Sequence, residues 1–438
     1  MKYVGHSVTL DKEKCCGCTI CLKRCPTDAI RVLNGKAVIF GNKCIDCGEC
    51  IRVCPYHAKK AVVDTVEILK EFEYTIALPA QTLYAQFPGM RDRNIVLTAL
   101  KKLGFDDVFE VSAACDAISR AVTQDLHYGR LPERVISSSC PTVVRIIRAR
   151  FPSLLPNLLD YRSPMELSAR WAKKLAMEKT GLPKEKIGCI FISACPAKAT
   201  SSKHPLGEQE SYVDGVLSIS EVYPLLQPLL KDITKPEILA RSGPLGVGWA
   251  KSGGEAYASQ ASHRLYADGI ENVIDVLEAL EDEKIHQAKF IELNACPGGC
   301  VGGVLAVENP FIAKSRITHI MNTVTPTIPT RGLPEDDMHL DEEIRYNPAL
   351  QLDTDVQQAM IKMMKIKEQE KHFNGMDCGA CGAPSCHALA EDIVMGRAVE
   401  EQCIFLKCEQ LEKRLAELQQ QMSPAPADPA ERMEHDSK

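Results

Sequence analysis

Nine of the twenty cysteines in this 438-residue chain lie in the segment 15–54, and eight of them repeat one spacing. Each copy has the form C-x₂-C-x₂-C-x₃-C-P, and such a short spacing lets three thiolates face one 4Fe–4S cluster. The fourth cysteine of each copy completes the other cluster. The predicted ligand sets are therefore Cys15, Cys18, Cys21 and Cys54 for one cluster, and Cys44, Cys47, Cys50 and Cys25 for the other. Two intact copies, each followed by proline, argue against a zinc site.

Composition excludes several other classes of protein. Hydrophobic residues make up 45% and charged residues 25%, as in an ordinary globular protein, and the length suggests about three domains. A net charge of −6 argues against a nucleic-acid surface. The sequence has no apolar run of about 18 residues and no signal-peptide core. We therefore expect a cytoplasmic protein without a membrane span, whose cysteines bind metal rather than form disulfides.

The middle of the chain has the pattern of an α/β domain. Apolar runs at 74–78, 187–192 and 289–293 predict strands, and the stretches 165–179 and 253–267 predict helices. The last two strands end just before a cysteine, and α/β folds usually build their sites at strand ends.

Four further cysteines and a lysine lie in three separated motifs, SSSCP at 137–141, SACPAK at 193–198 and ELNACPGGCVGG at 292–303. Four cysteines suffice for another 4Fe–4S cluster, and glycines between the last two let the backbone approach a bulky cofactor. A lysine nearby would donate a hydrogen bond to an anionic ligand.

Together these motifs resemble the catalytic domain of FeFe-hydrogenases over residues 70–310. The resemblance extends to ALPA at 77–80, LGFD at 103–106, SP at 163–164, VDGVL at 213–217 and GGE at 253–255. It implies an H-cluster, which is a 4Fe–4S cluster bridged by a cysteine to a di-iron unit. The implied cluster ligands are Cys140, Cys195, Cys296 and Cys300, with Cys300 as the bridge. Lys198 would bond a cyanide ligand of the di-iron unit, and Pro79 and Ala80 would line it. Residues 1–60 similarly resemble a bacterial two-cluster ferredoxin.

The departures from that family concern proton transfer. Ser139 stands where efficient members carry a proton-transferring cysteine, Ser201 replaces a relay glutamate and Leu159 a relay serine. A serine hydroxyl has a far higher pKa than a thiol. Ser193 and Asn294 replace methionines that pack against the di-iron unit. The cofactor pocket is therefore predicted to be retained and the usual proton route interrupted, which resembles the sensory FeFe-hydrogenases, proposed to bind hydrogen and signal.

A third group of cysteines predicts one more cluster near the C-terminus. Its spacing is C-x₂-C-x₄-C-x₁₆-C, and its predicted ligands are Cys378, Cys381, Cys386 and Cys403. It resembles the small 4Fe–4S domain of corrinoid-dependent and electron-transport proteins, and zinc is the alternative. A helix with Leu411, Leu415, Leu418 and Met422 on one face follows, and it could dimerise or dock on a partner. Cys408, five residues after Cys403, could be an alternative ligand or a spare, and the sequence assigns no ligand role to Cys16, Cys115 or Cys189.

These motifs predict a chain of five parts. They are a two-cluster α+β ferredoxin-like domain (1–65), an α/β FeFe-hydrogenase-like H-cluster domain (70–330), a linker (331–370), a mainly helical 4Fe–4S domain with its C-terminal helix (371–422) and a disordered tail (423–438).

The predicted function is that of a sensory FeFe-hydrogenase with slow turnover. It would bind hydrogen and signal to a redox or signalling partner, for which a kinase or phosphatase is a candidate. Hydrogenase maturation proteins are further expected partners, and a homodimer is an open possibility. The alternatives are a hydrogen-turning-over oxidoreductase linked to ferredoxin-type carriers, or an iron–sulfur electron-transfer protein without the di-iron unit.

Overall fold

The computed structural model describes residues 5–90, 92–324 and 337–422. Its strands are β1 (Val8–Leu10), β2 (Ile30–Leu33), β3 (Lys36–Ile39), β4 (Lys59–Ala61), β5 (Tyr74–Pro79), β6 (Asp107–Val108), β7 (Val135–Ile136), β8 (Ile187–Ser193), β9 (Gly215–Ser218), β10 (Arg264–Asp268) and β11 (Phe290–Asn294). Its α-helices are α1 (Ile20–Lys23), α2 (Glu49–Arg52), α3 (Arg93–Leu103), α4 (Val111–His127), α5 (Pro141–Arg150), α6 (Pro164–Thr180), α7 (Pro196–Lys203), α8 (Ile219–Lys231), α9 (Pro244–Gly248), α10 (Gly254–Ala258), α11 (Ile270–Glu281), α12 (Pro310–Thr323), α13 (Val356–Glu370), α14 (Cys386–Val394) and α15 (Ile404–Met422).

The chain divides into two units. The first holds the described residues up to Cys16, residues 24–29 and the described residues from Ile39 to Leu350. The second holds Gly17–Lys23, Ile30–Val38 and the described residues from Gln351 onward. None of the helices in the described ranges is both long and apolar enough to span a membrane.

Two parallel sheets organise the first unit. Four strands follow the order β6-β5-β8-β9, and three follow the order β10-β11-β7. Parallel strands with intervening helices are buried on both faces, which explains the continuous apolar runs of β5 and β8. The predicted strands at 74–78, 187–192 and 289–293 are thereby confirmed within one residue at each end.

Side chains that alternate along β5 and β8 enter two separate cores. Ile76 and Phe191 pack with α4 and α6, whereas Ala77 and Ile190 pack with α3 and α8. This alternation follows from the two-residue period of a strand. A third core joins α5 and α11 to the second sheet and includes Ile45 from the N-terminal segment.

Two predictions of secondary structure need correction. The stretch 253–267 is not one helix: α10 ends at Ala258, and β10 begins at Arg264. The polar turn at 259–263 separates them. All five residues of β10 pair with β11 in parallel register, and no local pattern encodes this pairing. Helix α13 lies inside the predicted linker 331–370 and belongs to the second unit, where Ile366 is buried. Residues 325–336 and the predicted tail 423–438 lie outside the described ranges.

Asp46 is the buried polar contact that ties the N-terminal segment to the helices of the α/β body. Its carboxylate accepts hydrogen bonds from Ser7 N at 2.8 Å, Arg145 Nη1 at 2.9 Å and Thr200 Oγ1 at 2.6 Å. Arg145 lies on α5 and Thr200 on α7. Because both charges are buried, removal of either would leave the other without compensation.

We therefore expect Asp46→Asn to lower the free energy of unfolding by about 2–4 kcal/mol, since an amide cannot accept all three hydrogen bonds. Anaerobic thermal denaturation of the cluster-loaded protein measures the change. Glu67→Gln is the control, because Glu67 pairs with Lys70 on the exposed surface and should contribute less than about 1 kcal/mol. Equal midpoints for the two variants would contradict the assignment.

Candidate functional site

The carboxyl ends of four parallel strands converge on one cavity of about 90 Å³. Residues that follow β5, β7, β8 and β11 line it, which is where parallel α/β sheets usually hold ligands. The cavity lining includes Cys47, Ala80, Ser139, Cys140, Cys195, Lys198, Trp249, Glu255, Glu292, Asn294, Cys296 and Cys300. Pro79 is the buried last residue of β5, next to Ala80, and does not itself line the cavity.

Two of the four predicted cysteine ligands are held in place by the first residues of helices. Cys140 precedes α5 and Cys195 precedes α7, and each of these helices begins with proline. Proline is favoured at a first helical position because its fixed φ angle suits the helix and its missing N–H is not needed there. The two Cys-Pro pairs therefore hold their thiols at the ends of β7 and β8.

Glycines let the segment from Cys296 to Cys300 approach its neighbours. Gly299 has φ of +94°, and a Cβ added there would lie 2.4 Å from Ser252 N. A Cβ added at Gly303 would lie 2.5 Å from the carbonyl oxygen of Ala194, just before Cys195. Any side chain at these positions would push the cysteine-bearing segments apart.

The four thiols lie close enough to influence one another. Burial, together with the negative charges of Cys140 and Cys195, raises the pKa of Cys300 to about 12. Burial and Cys140 likewise raise the pKa of Cys195 to about 11. All four cysteines are free of disulfides. Burial also raises the pKa of Cys296, so three of the four thiols resist ionisation. A cationic group would make them thiolates, and iron supplies such a charge. The donor set therefore suits a 4Fe–4S cluster.

Lys198 lies one turn into α7, so its side chain reaches the same cavity as Cys195. Its Nζ donates a hydrogen bond to the carbonyl oxygen of Ser139 at 3.2 Å. A half-buried lysine donor beside the cysteines is suited to an anionic ligand.

Glu255 is the group that the sequence analysis missed. Its Oε2 accepts hydrogen bonds from Ser139 Oγ and Ser137 Oγ, both at 2.7 Å. Burial and the nearby carboxylate of Glu292 raise the pKa of Glu255 to about 8. The motif GGE at 253–255 was part of the family resemblance, but nothing local to it indicated contact with a residue 116 positions away.

Glu292 is bound to the backbone that carries Glu255. It accepts hydrogen bonds from Gly253 N at 3.0 Å, Ala256 N at 2.7 Å and Asn294 Nδ2 at 2.7 Å. Burial raises the pKa of Glu292 to about 7. The cavity thus holds two carboxyl groups that retain a proton far more readily than an exposed glutamate.

The other predicted relay positions offer little for proton transfer. Leu159 is buried in an apolar core, and Ser201 Oγ donates to the carbonyl oxygen of Ala197 within its own helix. A second cavity of about 50 Å³ borders Ser139, Lys198, Ser201 and the carboxyl group of Glu166. A polar space of this size has room for roughly three to five water molecules.

The second ferredoxin set adjoins the cavity. The thiols of Cys25, Cys44, Cys47 and Cys50 lie close enough for the charge of one to affect the pKa of another. Cys47 also lines the cavity of Cys140 and Cys195. The backbone N–H of Ala29 donates to Cys25 Sγ at 3.3 Å. For the first set, Cys15 and Cys54 belong to the first unit and Cys18 and Cys21 to the second, so this set stays a prediction.

The C-terminal set lies in the second unit. Electrostatic interactions link Cys378, Cys381 and Cys403, and the backbone N–H of Cys386 donates to Asp377 Oδ1 at 2.6 Å. Lys23 Nζ donates to the carbonyl oxygens of Asp377 and, at 2.6 Å, of Pro384. A lysine and an aspartate therefore shape the backbone around these cysteines.

Among the cysteines without a predicted role, two are buried and two exposed. Gln81 Nε2 donates to Cys115 Sγ at 3.5 Å, and Cys189 Sγ donates to the carbonyl oxygen of Ala169 at 3.6 Å. Cys16 and Cys408 are exposed.

Three family models match the chain. The iron-only hydrogenase large subunit, C-terminal domain, matches residues 74–262 and 253–304. A 4Fe–4S dicluster domain matches residues 7–55, and an Fe–S cluster domain matches residues 374–405.

Individual relatives agree with this assignment. Iron hydrogenase 1 of Clostridium pasteurianum is 23% identical over 372 residues, which cover 68% of this chain and 64% of the relative. The periplasmic Fe hydrogenase large subunit of Nitratidesulfovibrio vulgaris is 25% identical over 72% of this chain and 90% of its own length. The cytosolic Fe–S cluster assembly factor nar1 of Aspergillus flavus is 27% identical over 37% of this chain and 28% of its own length. The chain thus spans less than two thirds of the Clostridium relative.

Among solved structures, the apo form of FeFe-hydrogenase HydA1 from Chlamydomonas reinhardtii matches with a TM-score of 0.48 and 14% identity, over 64% of this chain and 98% of that chain. Because the hydrogenase model alone spans more than half of the sequence, the chain belongs to the iron-only hydrogenase large-subunit family and is an iron–sulfur protein with flanking 4Fe–4S dicluster and Fe–S cluster domains.

Proposed function

We propose that this chain is a sensory FeFe-hydrogenase that binds hydrogen at an H-cluster, interconverts hydrogen and protons slowly and passes a redox or conformational signal to a partner. The observation that carries the proposal is the contact between Ser139 and Glu255 inside the cysteine-lined cavity. This contact supports a cofactor site that is retained. It also supports a proton route through a hydroxyl and a carboxyl group in place of the thiol of efficient family members.

In this proposal Cys140, Cys195, Cys296 and Cys300 would hold the cubane, and Cys300 would be the ligand shared with the di-iron unit. When bound, the H-cluster would supply the metal site at which hydrogen is split or formed. Lys198 would donate a hydrogen bond to an anionic ligand of the di-iron unit, and Ala80 would line its space. Trp249 and Phe191 exclude water from the cavity that they line.

The second ferredoxin set serves as the electron inlet. Cys47 is a predicted ligand of the second ferredoxin cluster, and it also lines the candidate H-cluster cavity. This position supports a short path for electrons between the two clusters. The first set and the C-terminal set, Cys378, Cys381, Cys386 and Cys403, would each bind another 4Fe–4S cluster.

Proton transfer runs through the Ser139 hydroxyl and the Glu255 carboxyl. A hydroxyl does not ionise near neutral pH, so it passes a proton only by accepting one while it donates another. Glu255 can hold a proton at neutral pH because burial raises its pKa to about 8. This concerted relay favours slow turnover, which suits a sensor.

The signal would leave through another protein. Helix α15 exposes Leu411, Leu415, Leu418 and Met422 at spacings of three and four residues, which is the pattern of a dimer or partner surface. A redox protein, a kinase or a phosphatase is the proposed receiver. Hydrogenase maturation proteins would install the di-iron unit, and we propose a cytoplasmic location.

A ferredoxin-linked hydrogenase that turns over hydrogen would use the same cavity, so the rate of turnover separates it from the sensor. An iron–sulfur protein without the di-iron unit is the other candidate, favoured by the similarity to the assembly factor nar1.

The first prediction concerns hydrogen binding. Protein matured with the di-iron cofactor should give carbonyl and cyanide infrared bands that change when hydrogen replaces argon. Lys198→Ala should shift the cyanide bands, because their hydrogen-bond donor is lost. The absence of all these bands after competent maturation, with a control hydrogenase matured in parallel, would support the cluster protein without the di-iron unit.

A second prediction concerns Glu255. Glu255→Gln should lower hydrogen turnover by about 10²-fold or more and leave the carbonyl and cyanide bands in place, because it removes a proton carrier and keeps the shape. Hydrogen uptake by the unaltered protein should rise as the pH passes through about 8, where Glu255 ionises and can accept protons. The variant should lose this rise.

The matched control for Glu255 is Glu166→Gln, since Glu166 is a buried carboxyl that borders the second, 50 Å³ cavity. If Glu166→Gln lowers turnover and Glu255→Gln does not, protons travel through the second cavity instead.

A third prediction tests the missing thiol. Ser139→Cys should raise turnover by about tenfold or more, because a thiol ionises more easily than a hydroxyl. Ser138→Cys is the control, because Ser138 Oγ donates to the carbonyl oxygen of Tyr161 at 3.2 Å rather than to Glu255. An equal gain from both variants, or no gain from Ser139→Cys, would place the limiting step elsewhere.

A further inference from the structure

A large open cleft lies on the first unit, formed by the segment from Lys251 to Tyr257, by β10 with its preceding turn, by residues 284–288 and by α12. Its volume is about 1180 Å³, slightly above the usual range for a small-molecule site. We call it the basic cleft. No residue of the described ranges lines both this cleft and the cysteine cavity, although α10 contributes residues to each.

The basic cleft concentrates positive charge. Its walls carry Lys251, Arg264, Lys284 and Lys314 with two histidines, and they include no aspartate or glutamate among the residues described. This is unexpected in a chain with a net charge of −6. A concave surface lined by one sign of charge attracts ligands of the other sign.

Two of these cations bond only to neutral oxygens in the contacts that the structure gives. Lys251 Nζ donates to Thr318 Oγ1 at 3.2 Å, and Arg264 Nη1 donates to the carbonyl oxygen of Tyr257 at 3.4 Å. Burial and the nearby charge of Lys314 lower the pKa of Lys251. Lys284 differs, because it pairs with Asp282 on the exposed surface. The cleft therefore holds mutually repelling cations that an anion would stabilise.

Aromatic surface accompanies the charge. Tyr257 and Tyr266 are 61% and 56% exposed, which is unusual for rings that line a concave surface. The guanidinium of Arg264 lies 5.6 Å from the ring centroid of Tyr257. A planar ring could therefore stack on tyrosine beside a cation.

Ser252 is an independent sign of a ligand. It lines the basic cleft and is only 5% exposed, yet its Oγ has no hydrogen-bond partner in the described part of the chain. A buried hydroxyl without a partner costs free energy, and rotation of the Ser252 side chain towards a phosphate oxygen in the cleft would satisfy it.

We propose that the basic cleft binds a nucleoside di- or triphosphate, with its phosphates held by Lys251, Lys314 and Ser252 and its base stacked on Tyr257 or Tyr266. A polyphosphate matches the mutually repelling cations, and a base matches the exposed rings. Neither match alone would identify this class of ligand.

The bound nucleotide would act on the segment that carries Cys300. Ser252 N donates to the carbonyl oxygen of Gly298, and Val301 N donates to that of Ala250, both at 2.9 Å. The wall of the cleft and the Cys296–Cys300 turn are thus one hydrogen-bonded layer. This consequence rests on the proposed function, whereas nucleotide binding does not.

Isothermal titration of the full-length protein, loaded with its iron–sulfur clusters but without the di-iron unit, tests the binding. MgATP should bind saturably at one site, and tripolyphosphate and adenosine should each bind at least tenfold more weakly. The double variant Lys251→Gln/Lys314→Gln should weaken MgATP binding at least tenfold, and Tyr257→Ala should reduce the preference for MgATP over tripolyphosphate.

The matched control is Lys70→Gln/Lys186→Gln, which removes two exposed lysines outside the cleft and should leave the affinity for MgATP unchanged. An unchanged thermal midpoint shows that each variant folds. The proposal is overturned if MgATP does not bind, if both double variants bind it equally, if tripolyphosphate binds as tightly, or if a single-stranded oligonucleotide binds more tightly. Because the di-iron unit is absent from this experiment, its outcome is independent of the hydrogen-binding test.

Discussion

The structure depends on placing several groups that resist ionisation together in one cavity. The thiols of Cys195, Cys296 and Cys300 and the carboxyl groups of Glu255 and Glu292 line about 90 Å³, beside Cys140 and Lys198. Burying so many ionisable groups is unfavourable unless they are protonated, paired or bound to a cation. The raised pKa values of Cys195, Cys300 and Glu255 reflect this cost. Two parallel sheets bring these groups together: the cysteines follow the strands β7, β8 and β11, and the helices α7 and α10 carry Lys198 and Glu255.

The sequence was sufficient wherever the signal is local. The cysteine spacings, the strands at 187–192 and 289–293 and the position of cysteines after those strands are all encoded within a few residues. The Cys-Pro pairs are informative for the same reason, since proline at a first helical position puts the cysteine at the cap.

Contacts between distant segments could not be predicted in this way. Ser139 meets Glu255 only because β11 pairs with both β7 and β10: Ser139 follows β7, and Glu255 lies on α10, just before β10. Asp46 lies in an ordinary cluster motif, yet it binds residues 99 and 154 positions away. The helix predicted at 253–267 was wrong for a related reason: pairing with β11 outweighs the helical pattern of residues 264–267. The resemblance to the family located the pocket, but it did not indicate which carboxyl group stands beside Ser139.

The segment 251–256 joins the two sites that the structure presents. Ser252 borders the basic cleft, and three residues later Glu255 borders the cysteine cavity. Glu292 holds the segment between them through Gly253 N and Ala256 N. Protein interiors are close-packed, so a shift of this short segment cannot be absorbed locally. A nucleotide on one side and a proton on the other would therefore act on the same hydrogen bonds. Under the proposed sensory function, such a shared segment is a better place for regulation than the metal ligands, whose geometry must stay constant.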